Sequence, residues 1–176
     1  MPLALDLGCG PNIHPGFVGV DIRRYPGVDI FITDLRRPWP WGDCSVDEAI
    51  CSHFLEHLEA QERIHFMNEL HRVLKPGAKV LIKVPHWSSS NAYCDLDHKW
   101  PPVVEGWFNY LNKAWRDQLA PHSEGYLCDF EWWATYSKIH EEFAAKDDET
   151  KKFAQRFYRD IAKVMDITLT KRATTP

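Results

Sequence analysis

An apolar run that ends on two glycines one residue apart constrains this chain more than any other feature. Leu3-Ala4-Leu5-Asp6-Leu7 reads as a buried strand, and Gly8-Cys9-Gly10-Pro11-Asn12 comes directly behind it. Glycine reaches left-handed backbone conformations at little cost and has no Cβ to obstruct a neighbour. A Gly-x-Gly directly behind a strand is therefore a sharp turn at which the backbone can approach a ligand closely. The same turn also serves as a plain connection in many α/β proteins, so the residues further along the chain decide its meaning.

Four further short apolar runs are separated by turn-forming residues: Phe17 to Val20, Ile30 to Ile32, Ala49 to Cys51 and Lys79 to Val84. With the first run they predict five buried parallel strands. Ile64, Met67, Leu70 and Leu74 recur at helical spacing between the fourth and fifth runs, and Lys75-Pro76-Gly77 stops that helix. Beyond Pro85 the chain becomes rich in tryptophan, which suggests a cap. Phe108, Leu111 and Trp115 predict a helix there, and Cys128, Phe130, Trp132, Ala134 and Tyr136 alternate as a strand does. A last helix is expected to carry Phe153, Phe157 and Ile161 behind the acidic start Asp147-Asp148-Glu149. Met165, Ile167 and Leu169 then predict a closing strand that pairs antiparallel. Trp132 and Phe157 are assigned to packing. Ligands of such open sheets bind at the C-terminal ends of the strands.

Composition narrows the function classes. At 176 residues the chain suits one domain, 1–176. Its 21 Lys and Arg against 25 Asp and Glu leave a net charge of -4, so no overall positive field draws in nucleic acid or an anionic membrane. The five cysteines are odd in number and include no C-x-x-C, which argues against a disulfide framework and a zinc ribbon. No apolar stretch approaches the ~20 residues that span a bilayer, and no secretory leader is evident. A cytoplasmic protein acting on a small-molecule substrate is the expectation.

A dinucleotide fingerprint, G-x-G-x-x-G, would need a third glycine where Ile13 stands. Instead Asp6-x-Gly8-x-Gly10 resembles the first motif of the class I S-adenosylmethionine-dependent methyltransferases. Asp21 ends the second apolar run, and Thr33-Asp34-Leu35 ends the third. Ser45 to Leu58 resembles the family's fourth strand and its Leu-Glu-His exit, and Leu74-Lys75-Pro76-Gly77 its Leu-Lys-Pro-Gly turn. Together these cover nearly half the chain, from Leu3 to Val84.

The resemblance implies a Rossmann-like open α/β sheet, mostly parallel with an antiparallel C-terminal strand and helices on both faces, with S-adenosylmethionine as cofactor. It implies a cradle of Asp6, Gly8, Cys9 and Gly10, a ribose partner in Asp21 beside Ile22, an adenine site at Asp34 and Leu35, and further contacts from Ser52, His53 and His57. Two departures stand out. Only about ten residues separate Gly10 from Asp21, too few for the helix that usually joins such strands. The first strand also has no helix ahead of it to cover the methionine end of the cofactor, so the aromatic second half is expected to do so.

Residues 86–125 are the expected substrate-side cap or lid. Asp95-Leu96-Asp97-His98 resembles the Asp-Pro-x-His element of some phage and bacterial small methyltransferases, with Leu96 in place of proline. That likeness implies His98 as a general base helped by Asp95, with His86 and Trp87 as substrate contacts. The plainer alternative is that these residues pin a loop. Arg23-Arg24 and Arg36-Arg37 read as solvated edges. His53-Phe54-Leu55-Glu56-His57 also satisfies the H-x-x-E-H pattern of a zinc peptidase. That pattern needs both histidines inside a helix, whereas a strand delivers His53 and the helix is expected to begin near Glu59, so no metal site is assigned. The expected activity is methyl transfer to a small polar acceptor. The alternative is a non-catalytic binder of S-adenosylmethionine or S-adenosylhomocysteine that serves a partner.

Overall fold

The computed structural model describes residues 2–173. Seven strands form one sheet in the order β3-β2-β1-β4-β5-β7-β6. Strands β1 (Ala4–Leu7), β2 (Val18–Asp21), β3 (Phe31–Ile32), β4 (Val46–Ser52) and β5 (Leu74–Pro85) run parallel. Strand β7 (Ala162–Lys171) pairs antiparallel with both β5 and β6 (Phe130–Ile139). The Rossmann-like sheet, parallel at first and antiparallel at its C-terminal end, is thus the one the sequence implied. Among the described residues no helix is long and apolar enough to cross a membrane.

The β1–β2 connection contains no helix. Gly8 and Cys9 both donate their N–H to the carbonyl of Val20, at 2.8 and 3.2 Å. Buried Asp6 accepts from the backbone N–H of His14 at 2.8 Å and from its Nδ1 at 2.9 Å. These bonds pin the loop against the sheet, and Ile13 packs where a side chain at Gly19 would otherwise stand. The crossover is short because Gly19 leaves room for it.

Helix α1 (Ala60–Val73) begins with a capping box in which the Glu62 side chain accepts from the Glu59 N–H at 2.9 Å. It buries Phe66, Met67, Leu70 and Val73. The chain then enters β5 directly, and Lys75 to Ala78 bulge out between the pairs Val46–Leu74 and Glu48–Lys79. Gly77 takes φ +79° in that bulge.

Three expectations need correction. Strand β3 is exposed, not buried, because it lies at the sheet edge, where Phe31 stacks on Trp41 at 5.4 Å. The helix expected over Phe108 to Trp115 is α2 (Glu105–Phe108), a 3-10 turn (Asn109–Leu111) and α3 (Lys113–Leu119). Asn112 breaks the run by capping α3, its side chain accepting from Trp115 N–H at 3.0 Å. Helix α5 (Asp148–Phe157), which comes after the short α4 (Glu141–Ala144), buries only Ala154. Phe153 and Phe157 stack on each other at 4.7 Å and stay more than half exposed, so Phe157 is not core.

The layers are lopsided. Leu5, Cys51, Ile82 and Ile167 point to the face where α1 and the α2–α3 segment pack, and Phe108 meets Trp132 there at 5.8 Å. On the opposite face Glu48, Lys79, Glu131, Trp133 and Thr135 are exposed. Within the expected cap, residues 105–119 therefore belong to the core side of the sheet, and residues 95–101 lie elsewhere.

Candidate cofactor and active site

Parallel pairing brings the C-terminal ends of β1 to β4 to one edge. There Gly8 (φ +70°) lies so close to Phe54 that an added Cβ would run into the ring and come within 2.7 Å of Phe54 Cβ. Gly10 (φ +57°) has open space where its Cβ would be. Asp21 closes the loop, its Oδ2 accepting from Gly10 N–H at 3.0 Å and its Oδ1 from Arg23 N–H at 2.9 Å. Each oxygen keeps a further lone pair for a hydroxyl donor.

A cavity of about 490 Å³ gathers Gly8, Asp21, Ile22, Asp34, Leu35 and His57 around Phe54 and Leu58. An adjoining lobe of about 480 Å³ shares Gly8, Asp21, Phe54 and His57 and adds Gly10, Asp97 and Lys99. Three strand ends and the segment after β5 thus meet at one hollow. Asp34 accepts from Arg36 Nε at 2.8 Å and Nη2 at 3.1 Å, and these bonds hold its carboxyl below the usual carboxylate range. Arg23 and Arg36 are exposed, as a solvated edge requires, and also border the hollow. Their signal was the position behind a strand end.

Other residues named from the sequence play different parts. Asp6 is buried and anchors His14. Cys9 Sγ donates to Gly10 O at 3.3 Å, and burial, with Asp6 and Asp21 nearby, pushes its thiol up to about 11. Ser52 and His53 end β4 without lining either lobe. His53 adopts φ +55°, donates its backbone N–H to Lys83 O at 2.8 Å and sets its Nδ1 3.2 Å from Glu56 Oε1. Glu56 itself, buried in the 3-10 turn Leu55–His57, was missed as a site residue.

The segment around His98 folds back over that turn. Lys99 N–H donates to Glu56 O at 2.8 Å, and Arg63 donates to Lys99 O at 3.0 Å and Pro101 O at 2.7 Å. His98 packs on His57 with ring centroids 4.9 Å apart. Its Nδ1 lies 3.2 Å from the carbonyl of Ala92, which can only accept, so Nδ1 carries the hydrogen. Its Nε2 stands 3.9 Å from Asp95 Oδ2. Asp95 accepts from Asp97 N–H at 2.8 Å, which depresses its carboxyl.

His86 and Trp87 line a different cavity, of about 780 Å³, with Glu105, Tyr136 and residues of α5. Ser88 N–H donates to His86 Nδ1 at 3.2 Å, leaving Nε2–H to donate to Glu105 Oε1 at 3.3 Å. Burial raises the Glu105 carboxyl, but its bonds from His86 and Tyr136 outweigh that and bring it below the ordinary value. The sequence grouped His86 and Trp87 with His98; neither lines the lobes that Gly8 and Asp21 share.

The chain is similar to known proteins in sequence and in shape. Residues 11–82 match the family described as Methyltransferase domain. An uncharacterized 37.1 kDa protein in a transposon of Streptomyces fradiae is 28% identical over 118 residues, which is 53% of this chain and 33% of that protein. This chain thus matches only a third of its curated relative. Among solved structures, a SAM-dependent methyltransferase from Archaeoglobus fulgidus superposes with a TM-score of 0.68 at 17% identity, over 97% of this chain and 86% of that one. The 1,6-didemethyltoxoflavin-N1-methyltransferase of Burkholderia thailandensis, solved with S-adenosylhomocysteine, gives 0.58 at 14% identity over 98% and 72% of the two chains. The domain match spans residues 11–82, fewer than half of the 176, and the solved structures share the Rossmann-like fold over nearly the whole chain.

Proposed function

We propose that the protein transfers the methyl group of S-adenosylmethionine to a small polar acceptor held beneath the segment 95–99. The observation that supports this most is the meeting of Gly8, Asp21, Asp34 and Leu35 in one hollow that also reaches Asp97 and Lys99. The residues suit the cofactor. The open space at Gly10 admits a group against the backbone, Asp21 has spare lone pairs for ribose hydroxyls, and Asp34 beside Leu35 offers an acceptor next to an apolar wall. Cys9 stays a neutral thiol and so adds no charge beside a sulfonium.

The bound cofactor supplies a methyl group on a cationic sulfur, open to in-line attack. Positioning and exclusion of water then contribute much of the rate. Phe54 and Leu58 form the dry wall, and Lys99 and Asp97 close the far lobe. His98 lines neither lobe itself but packs on His57, which lines both. With its lone pair on Nε2 it serves as the base for the acceptor's proton, and Asp95 at 3.9 Å favours the imidazolium that forms.

Incubation with methyl-labelled donor and small-molecule extract tests the reading. Labelled product from the wild type, and at least tenfold less from His98→Ala, is expected. No product from any extract fraction, with S-adenosylhomocysteine still bound, would leave a silent binder.

A further inference from the structure

The H-x-x-E-H letters at His53 to His57 pointed to a metal that the backbone does not let them share. With φ +55° at His53 and a 3-10 turn after it, the two histidines are not on one regular helix, and His53 turns to Glu56 instead. A different triad forms. One ligand-capable atom from each of Glu56, His57 and His98 lies within 4.8 Å of the other two. We propose that Glu56, His57 and His98 bind a divalent transition-metal ion of the zinc class, open on its remaining side to the cofactor cavity.

Two independent observations point to a cation. Glu56 is 5% exposed, and its Oε2 is buried with no hydrogen-bond partner, while Oε1 receives His53. A buried carboxylate oxygen without a donor is strongly unfavourable. The nearby cation, Arg63, does not relieve it, because its N–H groups go to the carbonyls of Leu55, Lys99 and Pro101. Secondly, the hydrogen on His98 Nδ1 leaves Nε2 as a lone pair, and it faces Asp95 Oδ2, another acceptor. The unpartnered Glu56 Oε2 and the His98 Nε2 lone pair are two acceptors in this cluster that no hydrogen-bond donor satisfies.

The supports are those of a metal centre. The Ala92 carbonyl fixes the His98 tautomer and His53 orients Glu56, as second partners of metal ligands commonly do. The 3-10 turn supplies two ligands, and the bond from Lys99 N–H to Glu56 O brings the third beside them. Bonds of ~2.0–2.1 Å place tetrahedral ligands ~3.4 Å apart, a closure that rotation of the two rings can provide. Two imidazoles and one carboxylate match zinc sites that keep an open position. His57 lines both lobes of the cavity, so an ion it holds would lie at the cavity wall. The site itself does not depend on the methyl-transfer reading; its role does. An ion there would hold the acceptor heteroatom and lower its pKa, releasing the acceptor's proton to solvent, so that coordination replaces proton transfer to His98.

Zinc titration of chelator-stripped protein by calorimetry, without donor or acceptor, tests the site, and cobalt(II) absorption reports its ligand geometry. One equivalent is expected to bind with micromolar affinity or better. His98→Ala and Glu56→Gln are expected to weaken it at least tenfold, while His122→Ala, at an exposed histidine outside the cluster, leaves it unchanged. Absence of saturable zinc binding by the wild type, an octahedral cobalt spectrum, or affinity unaltered in His98→Ala and Glu56→Gln overturns the proposal. Methylation measured with and without chelator separates the two readings. Stoichiometric zinc without methylation refutes only the activity, and full methylation by protein that binds no zinc refutes only the site.

Discussion

Gly8→Ala probes the cradle at the point where backbone and packing constrain it together. Alanine at φ +70° costs about 1–2 kcal/mol, because its Cβ crowds the carbonyl in the left-handed region. The same Cβ would fall on Phe54, which is packed against Phe66 at 5.8 Å and cannot retreat freely. Overpacking of that kind adds about 1–3 kcal/mol. The two effects sum to roughly 2–5 kcal/mol, a large share of the ~5–15 kcal/mol that stabilises a typical domain. Gly10→Ala is the control. Its φ of +57° carries a similar backbone cost, but no atom lies within 4 Å of its Cβ. Urea unfolding should therefore place Gly8→Ala well below Gly10→Ala, with midpoints about 1 M apart for a slope of about 2 kcal/mol per M. Gly10→Ala should instead lose affinity for S-adenosylhomocysteine, since its methyl enters the open hollow. Equal midpoints for the two variants would refute the reasoning.

Asp21→Ala removes the proposed ribose partner together with the acceptor of Gly10 and Arg23 N–H, so calorimetry with S-adenosylhomocysteine should show affinity falling by about 2–4 kcal/mol. His71 lies against Phe130, and burial, with Lys171 nearby, lowers its imidazole to about 4 from 6.5. The unfolded chain takes up that proton first as the pH falls. Stability fully present above pH 6.5 is therefore lost progressively toward pH 4, by at most about 2 kcal/mol after solvent screening. His71→Gln should flatten the acid limb of denaturation midpoint against pH; an unchanged slope contradicts it. Cys9, its thiol raised to about 11, should react with iodoacetamide at pH 8 more slowly than exposed Cys94, as read by mass spectrometry of the labelled peptides.

The features legible in the sequence are those whose cause is local. Leu5 and Leu7 ahead of Gly8 specify a buried strand and its turn, and the face of Phe66, Met67, Leu70 and Val73 specifies α1. Asp21, Asp34 and Leu35 could be placed at one hollow because parallel strands must end on the same edge. What was not legible depends on partners distant in sequence. Phe31 has the pattern of a core strand and is exposed because, among the described residues, β3 is an edge strand. Phe157 has helical spacing to Phe153, but α5 buries only Ala154, so the pair stacks in the open. Glu56 looked like part of a family signature. Its missing partner emerges only where Lys99 folds back on it. His86 stands as close behind β5 as a substrate residue should, but its bond to Glu105 turns it toward α2 and a separate cavity.

A crystal structure with S-adenosylhomocysteine would decide whether this hollow is the cofactor site. The ribose is expected at Asp21, the adenine between Asp34 and Leu35, and the thioether sulfur directed toward His57 and His98. Ligand bound in the cavity of His86 and Tyr136, or a hollow of Gly8, Asp21 and Asp34 that stays empty at saturating ligand, would contradict that assignment.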